Sequence, residues 1–142
     1  TMNQKKVEVR YYTRTGNTKK LADQIAGSIG CEAHTLDFPL PEKTDILFLG
    51  ASIYGANIDK NIKDYIHSLD PAKIGKVVVF STSALVERAF PEIKKHLVAR
   101  GISVASDDFY CRGQFTLLHR GRPNSQDLID ANKFAVKILK EN

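Results

Sequence analysis

Two stretches of this chain, "DILFLGA" (45–51) and "KVVVFS" (76–81), are nearly continuous apolar runs, and "VEVRYY" (7–12) is one in part. Such runs suit parallel strands covered on both faces by helices, because a strand with one wet face would alternate apolar and polar residues instead. Strands are expected at Val7 to Tyr12, Glu32 to Asp37, Ile46 to Ala51, Val77 to Ser81 and Ser103 to Tyr110. Helical spacing falls between them. Leu21, Ala22, Ile25, Ala26 and Ile29 form one apolar face, and Ile58, Ile62, Tyr65, Ile66 and Leu69 a second. A third helix carries Ile93, Leu97 and Val98, with Pro91 in its first turn and Gly101 past its end. The last has Ser125 as expected N-cap, Asp127 in its first turn, and Leu128, Ala131, Phe134, Ala135, Ile138 and Leu139 on one face.

Strands and helices that take turns in this way imply an α/β fold, a doubly wound parallel sheet with right-handed crossovers. With 142 residues and 42% hydrophobic content, one domain over residues 1–142 is expected, long enough to bury a core. Sheets of this kind bind ligands beyond the carboxyl ends of their strands. Three segments therefore become candidates: Thr13 to Thr18, Ser52 to Asn57, and Thr82 to Glu87.

The first segment, "TRTGNT", has a composition that calls for an anion. A helix N-terminus presents N–H groups without intrahelical partners and the positive end of the helix dipole. Thr13, Thr15 and Thr18 add hydroxyls, Asn17 adds an amide, and Gly16 lets backbone approach closely. A phosphate group is the inferred guest. The segment lacks the lysine of an NTP-binding loop and the three glycines of a dinucleotide fingerprint.

Charge, cysteines and histidines exclude more than they assign. A net charge of +5 comes from 21 Lys and Arg spread among 16 Asp and Glu, which reads as a solvated exterior rather than a nucleic-acid surface. The segment from Arg112 to Arg122 is the exception: Arg112, His119, Arg120 and Arg122 gather there and could face an acidic partner. Cys31 and Cys111 form neither a CxxC pair nor a metal cluster, so reduced thiols and a cytoplasmic setting are expected. His34, His67, His96 and His119 fall on different elements without ligand-like spacing. No run approaches the roughly 20 apolar residues of a membrane span, and "TMNQKK" lacks the apolar stretch of a signal peptide.

"YYTRTGNTKKLADQIA" resembles the phosphate-binding signature of the flavodoxins, a strand end followed by (S/T)xTGxT and a helix, with its hydroxyl positions filled by Thr13, Thr15 and Thr18. "DILFLGASIYGANID" is similar to the family's third strand and flavin loop, and "YCRGQF" with "GRPNSQDL" resembles bacterial flavodoxin-domain proteins. The resemblance implies a flavodoxin-like five-stranded sheet in the order 2-1-3-4-5 that binds FMN and carries electrons between redox proteins. It places the phosphate on Thr13, Arg14, Thr15, Gly16, Asn17 and Thr18, and the ring on Ser52, Ile53, Tyr54, Gly55 and Ala56. Tyr54 would stack on the flat apolar ring, and Gly55 could turn its peptide toward reduced flavin N5. Ser81, Thr82 and Ser83 either supply donors to the pyrimidine edge or form a polar strand end.

Two departures from the family pattern set further expectations. Leu85 and Val86 stand where a second aromatic often covers the ring, which leaves Phe115 as a substitute. Electron-carrying flavodoxins are usually acidic, whereas this chain is basic with Arg14 inside the phosphate loop, so a less negative potential and acidic partners, ferredoxin-like or reductase, are expected. No nucleic acid, no membrane insertion, no catalytic side chain, and a monomer or weak dimer follow from the carrier reading. "LGASIYGANIDKNIKDYI" also looks like the menaquinone-dependent protoporphyrinogen oxidases, the alternative reading, although their long basic late insertion is reduced here to the Cys111 to Asn124 segment.

Overall fold

Strand β3 (Thr44–Ile53) sends Leu47, Leu49 and Ala51 into one buried cluster and Ile46 and Phe48 into another, so both of its faces are dry. β4 (Ile74–Ser83) does the same with Val77 and Val79 against Val78 and Phe80. Each fully buried side chain of this size stabilises the fold by roughly 2 kcal/mol relative to exposure. The computed structural model describes residues 5–13, 16–53, 58–83, 90–112 and 121–141.

The sheet is five-stranded and parallel, in the order β2-β1-β3-β4-β5, with β1 at Val7–Tyr11, β2 at Ala33–Thr35 and β5 at Phe109–Arg112. The order expected from the flavodoxin resemblance is the one found. Helices α1 (Asn17–Ser28) and α4 (Ser125–Glu141) cover one face through Leu21, Ile25, Ala131, Ala135 and Ile138. Helices α2 (Lys60–Ser68) and α3 (Phe90–Ala99) cover the other through Ile62, Ile66, Ile93 and Leu97. Val98, expected on the buried face of α3, is instead 57% exposed, since Ile93 and Leu97 already fill that face.

Several boundaries differ from the sequence expectation: β1 ends at Tyr11 rather than Tyr12, and β2 keeps only Ala33–Thr35 of the expected Glu32 to Asp37. β3 and β4 run further at both ends, because Thr44 to Ile53 stay paired with Ile74 to Ser83 through polar residues that hydropathy alone does not extend. The last strand is broken: Val104 bridges Val77, yet Phe109 pairs with Phe80, so the β5 side carries two more residues than β4 between those pairings. The excess falls at Ser106, Asp107 and Asp108, poor strand formers. The N-cap of α4 is Asn124, one residue before the expected Ser125. Its Oδ1 accepts the Asp127 N–H at 2.9 Å while the Asp127 carboxylate accepts the Asn124 N–H at 2.8 Å, a reciprocal capping box.

Residues 36–43, joining β2 to β3, contain no helix. With Pro39 and Pro41 they form a strap across the β1–β2 end of the sheet, on the face that α2 and α3 cover elsewhere. Arg10, fully buried on β1, holds the strap: Nε donates to the Phe38 carbonyl at 3.1 Å, Nη2 to the Pro39 carbonyl at 2.8 Å and Nη1 to the Val9 carbonyl at 3.0 Å. Glu8 lies 2.9 Å from the same guanidinium, which compensates its charge. Phe38 stacks on His34 with ring centres 3.8 Å apart.

Candidate functional site

The carboxyl ends of β1, β3 and β4 lie side by side, with Tyr11 opposite Gly50, Ser52 opposite Thr82 and Ile53 opposite Ser83. The chain leaving β1 is first held by the Tyr12 N–H, which donates to the Gly50 carbonyl at 3.1 Å. It then turns so that Thr13 Oγ1 accepts the Gly16 N–H at 2.9 Å. Gly16 sits at φ +89°, a left-handed conformation that a side chain would strain, and α1 starts at the next residue.

The start of α1 has no side-chain cap and no acidic residue in its first turn. α2, by contrast, is capped by Asp59, which accepts the Asn61 N–H at 2.8 Å. An uncapped helix start next to the hydroxyl of Thr13 is an arrangement that attracts an anion. The Thr13 hydroxyl, having accepted from Gly16, still has its own proton to donate.

Thr18 does something the sequence did not suggest. Its side chain is fully buried, its hydroxyl donates to the Ala51 carbonyl at 3.3 Å, and it meets the Thr82 hydroxyl at 3.0 Å. The first turn of α1 is thereby fastened to the ends of β3 and β4. Gly50 permits the close approach: a Cβ there would lie 2.3 Å from Phe80 Cε2 and 3.0 Å from Thr18 Cγ2. Neighbouring Ser81 is also fully buried, and its Oγ has no hydrogen-bond partner.

The expected phosphate residues Thr13, Gly16, Asn17 and Thr18 are thus brought together at the start of α1, and Thr82 joins them through Thr18. Ser52, Ile53 and Ser83 form the ends of β3 and β4 beside them. Arg14, Thr15, Tyr54, Gly55 and Ala56 lie outside the described residues, as do Leu85, Val86, Phe115, His119 and Arg120. Within the basic segment, Arg112 lies 5.5 Å from the centre of the Tyr110 ring, while Arg122 donates twice to the Asp127 carboxylate, which ties its charge down. No group of three metal-capable side chains occurs among the described residues, and His67 and His96 meet edge to face at 5.9 Å. Burial pushes the Cys111 thiol up to about 12, so it is an unreactive core thiol at neutral pH.

This geometry defines a doubly wound parallel sheet with the start of α1 at its carboxyl edge. Residues 8–120 match the flavodoxin domain family, and the chain belongs to it. A protein of Methanocaldococcus jannaschii, itself uncharacterised, is 27% identical and aligns over 87% of this chain and 91% of its own length. A flavodoxin from the domain Archaea superposes with a TM-score of 0.77 at 15% identity, covering 96% of this chain and 97% of that one. Oxidised flavodoxin 2 from Bacillus cereus gives 0.71 at 19%, covering 96% and 99%. Both structures share the fold, and family membership implies a flavin cofactor.

Proposed function

We propose that this chain is an FMN electron carrier serving redox partner proteins. The observation that carries the reading is the left-handed Gly16 and the uncapped start of α1, set beside Thr13 at the carboxyl edge of a flavodoxin-family sheet. The residues present fit the group. Thr13, Arg14 and Thr15 would hold the phosphate together with the backbone of Gly16, Asn17 and Thr18. Ser52, Ile53, Tyr54, Gly55 and Ala56 would meet the ring, and Ser81, Thr82 and Ser83 its polar edge. The Thr13 hydroxyl, which can donate once it has accepted from Gly16, and the start of α1 behind its glycine N-cap are what such a phosphate would meet.

Bound FMN supplies one- and two-electron redox chemistry. The chain's own share is to orient the phosphate through the α1 start, to keep the Thr18–Thr82 seam closed, and to set the carboxyl ends of β3 and β4 beside it. No side chain needs to move a proton for this task. We read residues 1–142 as one domain, since α4, beyond the matched residues 8–120, packs Ala131, Ala135 and Ile138 into the same core as α1. The two free cysteines suit a reducing cytoplasm. Acidic redox proteins are the partners that the net charge of +5 favours.

The test is titration of the protein with FMN, followed by flavin fluorescence quenching and visible absorbance. One flavin per chain, with affinity reduced in Thr13→Ala and Thr15→Ala, supports the reading. Absence of any flavin binding, on a protein shown to be folded, removes it. Direct oxidation of a porphyrinogen by the loaded protein would move it to the oxidase alternative.

A further inference from the structure

The hydroxyls of Thr13 and Thr18 flank the same helix start, and their geometry separates them. A doubly charged phosphate ester only accepts hydrogen bonds, so a hydroxyl serves it by giving up its single proton. Thr13 has that proton to give, because its Oγ1 accepts from the Gly16 N–H at 2.9 Å. Thr18 does not. Its Oγ1 donates to the Ala51 carbonyl at 3.3 Å and lies 3.0 Å from Thr82 Oγ1, and all three residues are buried in the core. With the Thr18 proton on the carbonyl, Thr82 is the donor between the two hydroxyls, so both protons point inward.

Shape holds this inward orientation as well as hydrogen bonding. Thr18 is β-branched and sits in the first turn of α1, where few rotamers are open to it. Its methyl lies over Gly50, where an added Cβ would come within 3.0 Å of Cγ2. The bare backbone of β3 thus receives the methyl and leaves the hydroxyl facing Ala51 and Thr82. Thr82 stands next to last on β4, opposite Ser52 of β3. The second residue of α1, two past the left-handed Gly16, is therefore tied to the ends of the two central strands. A hydrogen bond is directional, whereas a methyl contact is not: a pair of valines would fill this space without fixing the angle at which α1 begins.

Taking the start of α1 as the flavin phosphate site, the reading on which this step rests, we infer that Thr82 is a positioning residue for that phosphate. Through Thr18 its hydroxyl sets the direction of the first N–H groups of α1, and neither hydroxyl of the pair touches the ligand. A site built from backbone N–H groups depends on their aim, since such bonds weaken steeply away from linearity. The Thr82 backbone stays with the polar edge of the ring in that reading, while its side chain serves the phosphate end. A change on β4, 64 residues along the chain, is thus felt at the phosphate turn.

The experiment is fluorescence titration of the flavin-free protein with FMN and with riboflavin, which lacks the phosphate. It compares the natural chain with Thr82→Val, Thr82→Ser, Thr18→Val and the double valine variant. The ratio of the two affinities isolates the phosphate, because a general loosening of the fold weakens both flavins alike. Thr82→Val is expected to lower the ratio about tenfold, the equivalent of one hydrogen bond to a charged group, and Thr82→Ser to keep the natural value. Thr18→Val should lower it at least as far, and the double variant no further than Thr18→Val, since both changes break the same bond. Thr82→Ala is read in the same way if the valine variant does not fold. A ratio that Thr82→Val leaves unchanged, an equal weakening of both flavins, or single-variant losses that multiply in the double variant would each overturn the inference. With Thr13→Ala still lowering the ratio, the phosphate site would then stand. A natural chain that binds FMN no more tightly than riboflavin would remove the site and the inference together.

Discussion

Thr18 on α1 and Thr82 on β4 meet hydroxyl to hydroxyl at 3.0 Å inside the core, 64 residues apart in sequence. The Ala51 carbonyl, 3.3 Å from Thr18 Oγ1, closes the cluster from β3. Replacing Thr18 by the isosteric valine removes the hydroxyl that donates to the Ala51 carbonyl and meets Thr82. We expect a loss of about 1–3 kcal/mol in urea unfolding of the flavin-free protein, two hydrogen bonds at about 0.5–1.5 kcal/mol each. If stability is unchanged and only flavin affinity falls, Thr18 acts on the phosphate and the cluster is incidental.

Gly50→Ala introduces a methyl group 2.3 Å from the Phe80 ring, in the layer between α1 and the sheet. Overpacking there should destabilise by about 1–3 kcal/mol. Phe80→Leu, added to Gly50→Ala, should recover part of the loss because it empties the space the methyl needs. Thermal unfolding of the two variants and of Phe80→Leu alone gives the coupling, and strict additivity would contradict the contact.

Arg10→Lys should fail to hold the strap, since an ammonium cannot reach the carbonyls of Phe38 and Pro39 with the spread of a guanidinium fork. A destabilisation of roughly 3 kcal/mol is expected for Arg10→Ala, which strips donors from a buried site, with lysine recovering little of it. Limited proteolysis reads the same change locally: cleavage between residues 36 and 43 should appear in both variants. A lysine variant as resistant as the natural chain would place the hold on Phe38 packing instead.

Alkaline pH should weaken the fold. Burial raises Cys111 from an ordinary 9.0 to about 12, and burial raises Tyr65 from 10.0 to about 12, opposed by the nearby Arg10 guanidinium. Between those limits the unfolded chain has released protons that the folded chain retains, so stability falls as pH rises from about 9 toward 12. Urea midpoints at pH 8 and pH 10.5 measure it. The double variant Cys111→Ala, Tyr65→Phe should show a shallower decline than the natural chain, and parallel declines would assign the effect to other groups.

With FMN bound, the net charge of +5 should favour the anionic, fully reduced flavin and move its potential to less negative values than acidic flavodoxins show. Spectroelectrochemistry at low and high salt checks the cause, because added salt screens exposed charge and should shrink the difference. An equally low potential at both ionic strengths would remove the electrostatic account.

The sheet was legible in the sequence because β3 and β4 are dry on both faces, and only a covered parallel strand tolerates runs such as "DILFLGA". The turn at Thr13 to Thr18 was legible because its residue types follow a strand and precede a helical repeat. The role of the Thr18 hydroxyl was not, since local spacing cannot tell a threonine aimed at a ligand from one aimed at a strand 64 residues away. The buried Arg10 was equally hidden: in "VEVRYY" it reads as a wet-face residue until the strap that accepts its hydrogen bonds is in view. Within the basic segment expected to face an acidic partner, Arg122 donates twice to Asp127, a pairing five residues along the chain that residue types alone did not reveal.

The unequal lengths of the strands grade how readily parts of the sheet open. β3 and β4 pair over ten residues each at the centre, whereas β2 contributes three at the rim. Amide protons of Leu47 to Gly50 and Val77 to Phe80 should therefore exchange with solvent deuterium only on global unfolding, and those of Ala33 to Thr35 far earlier. The carboxyl ends of β3 and β4, Ile53 and Ser83, belong to this central pair, so the rim can breathe without disturbing them.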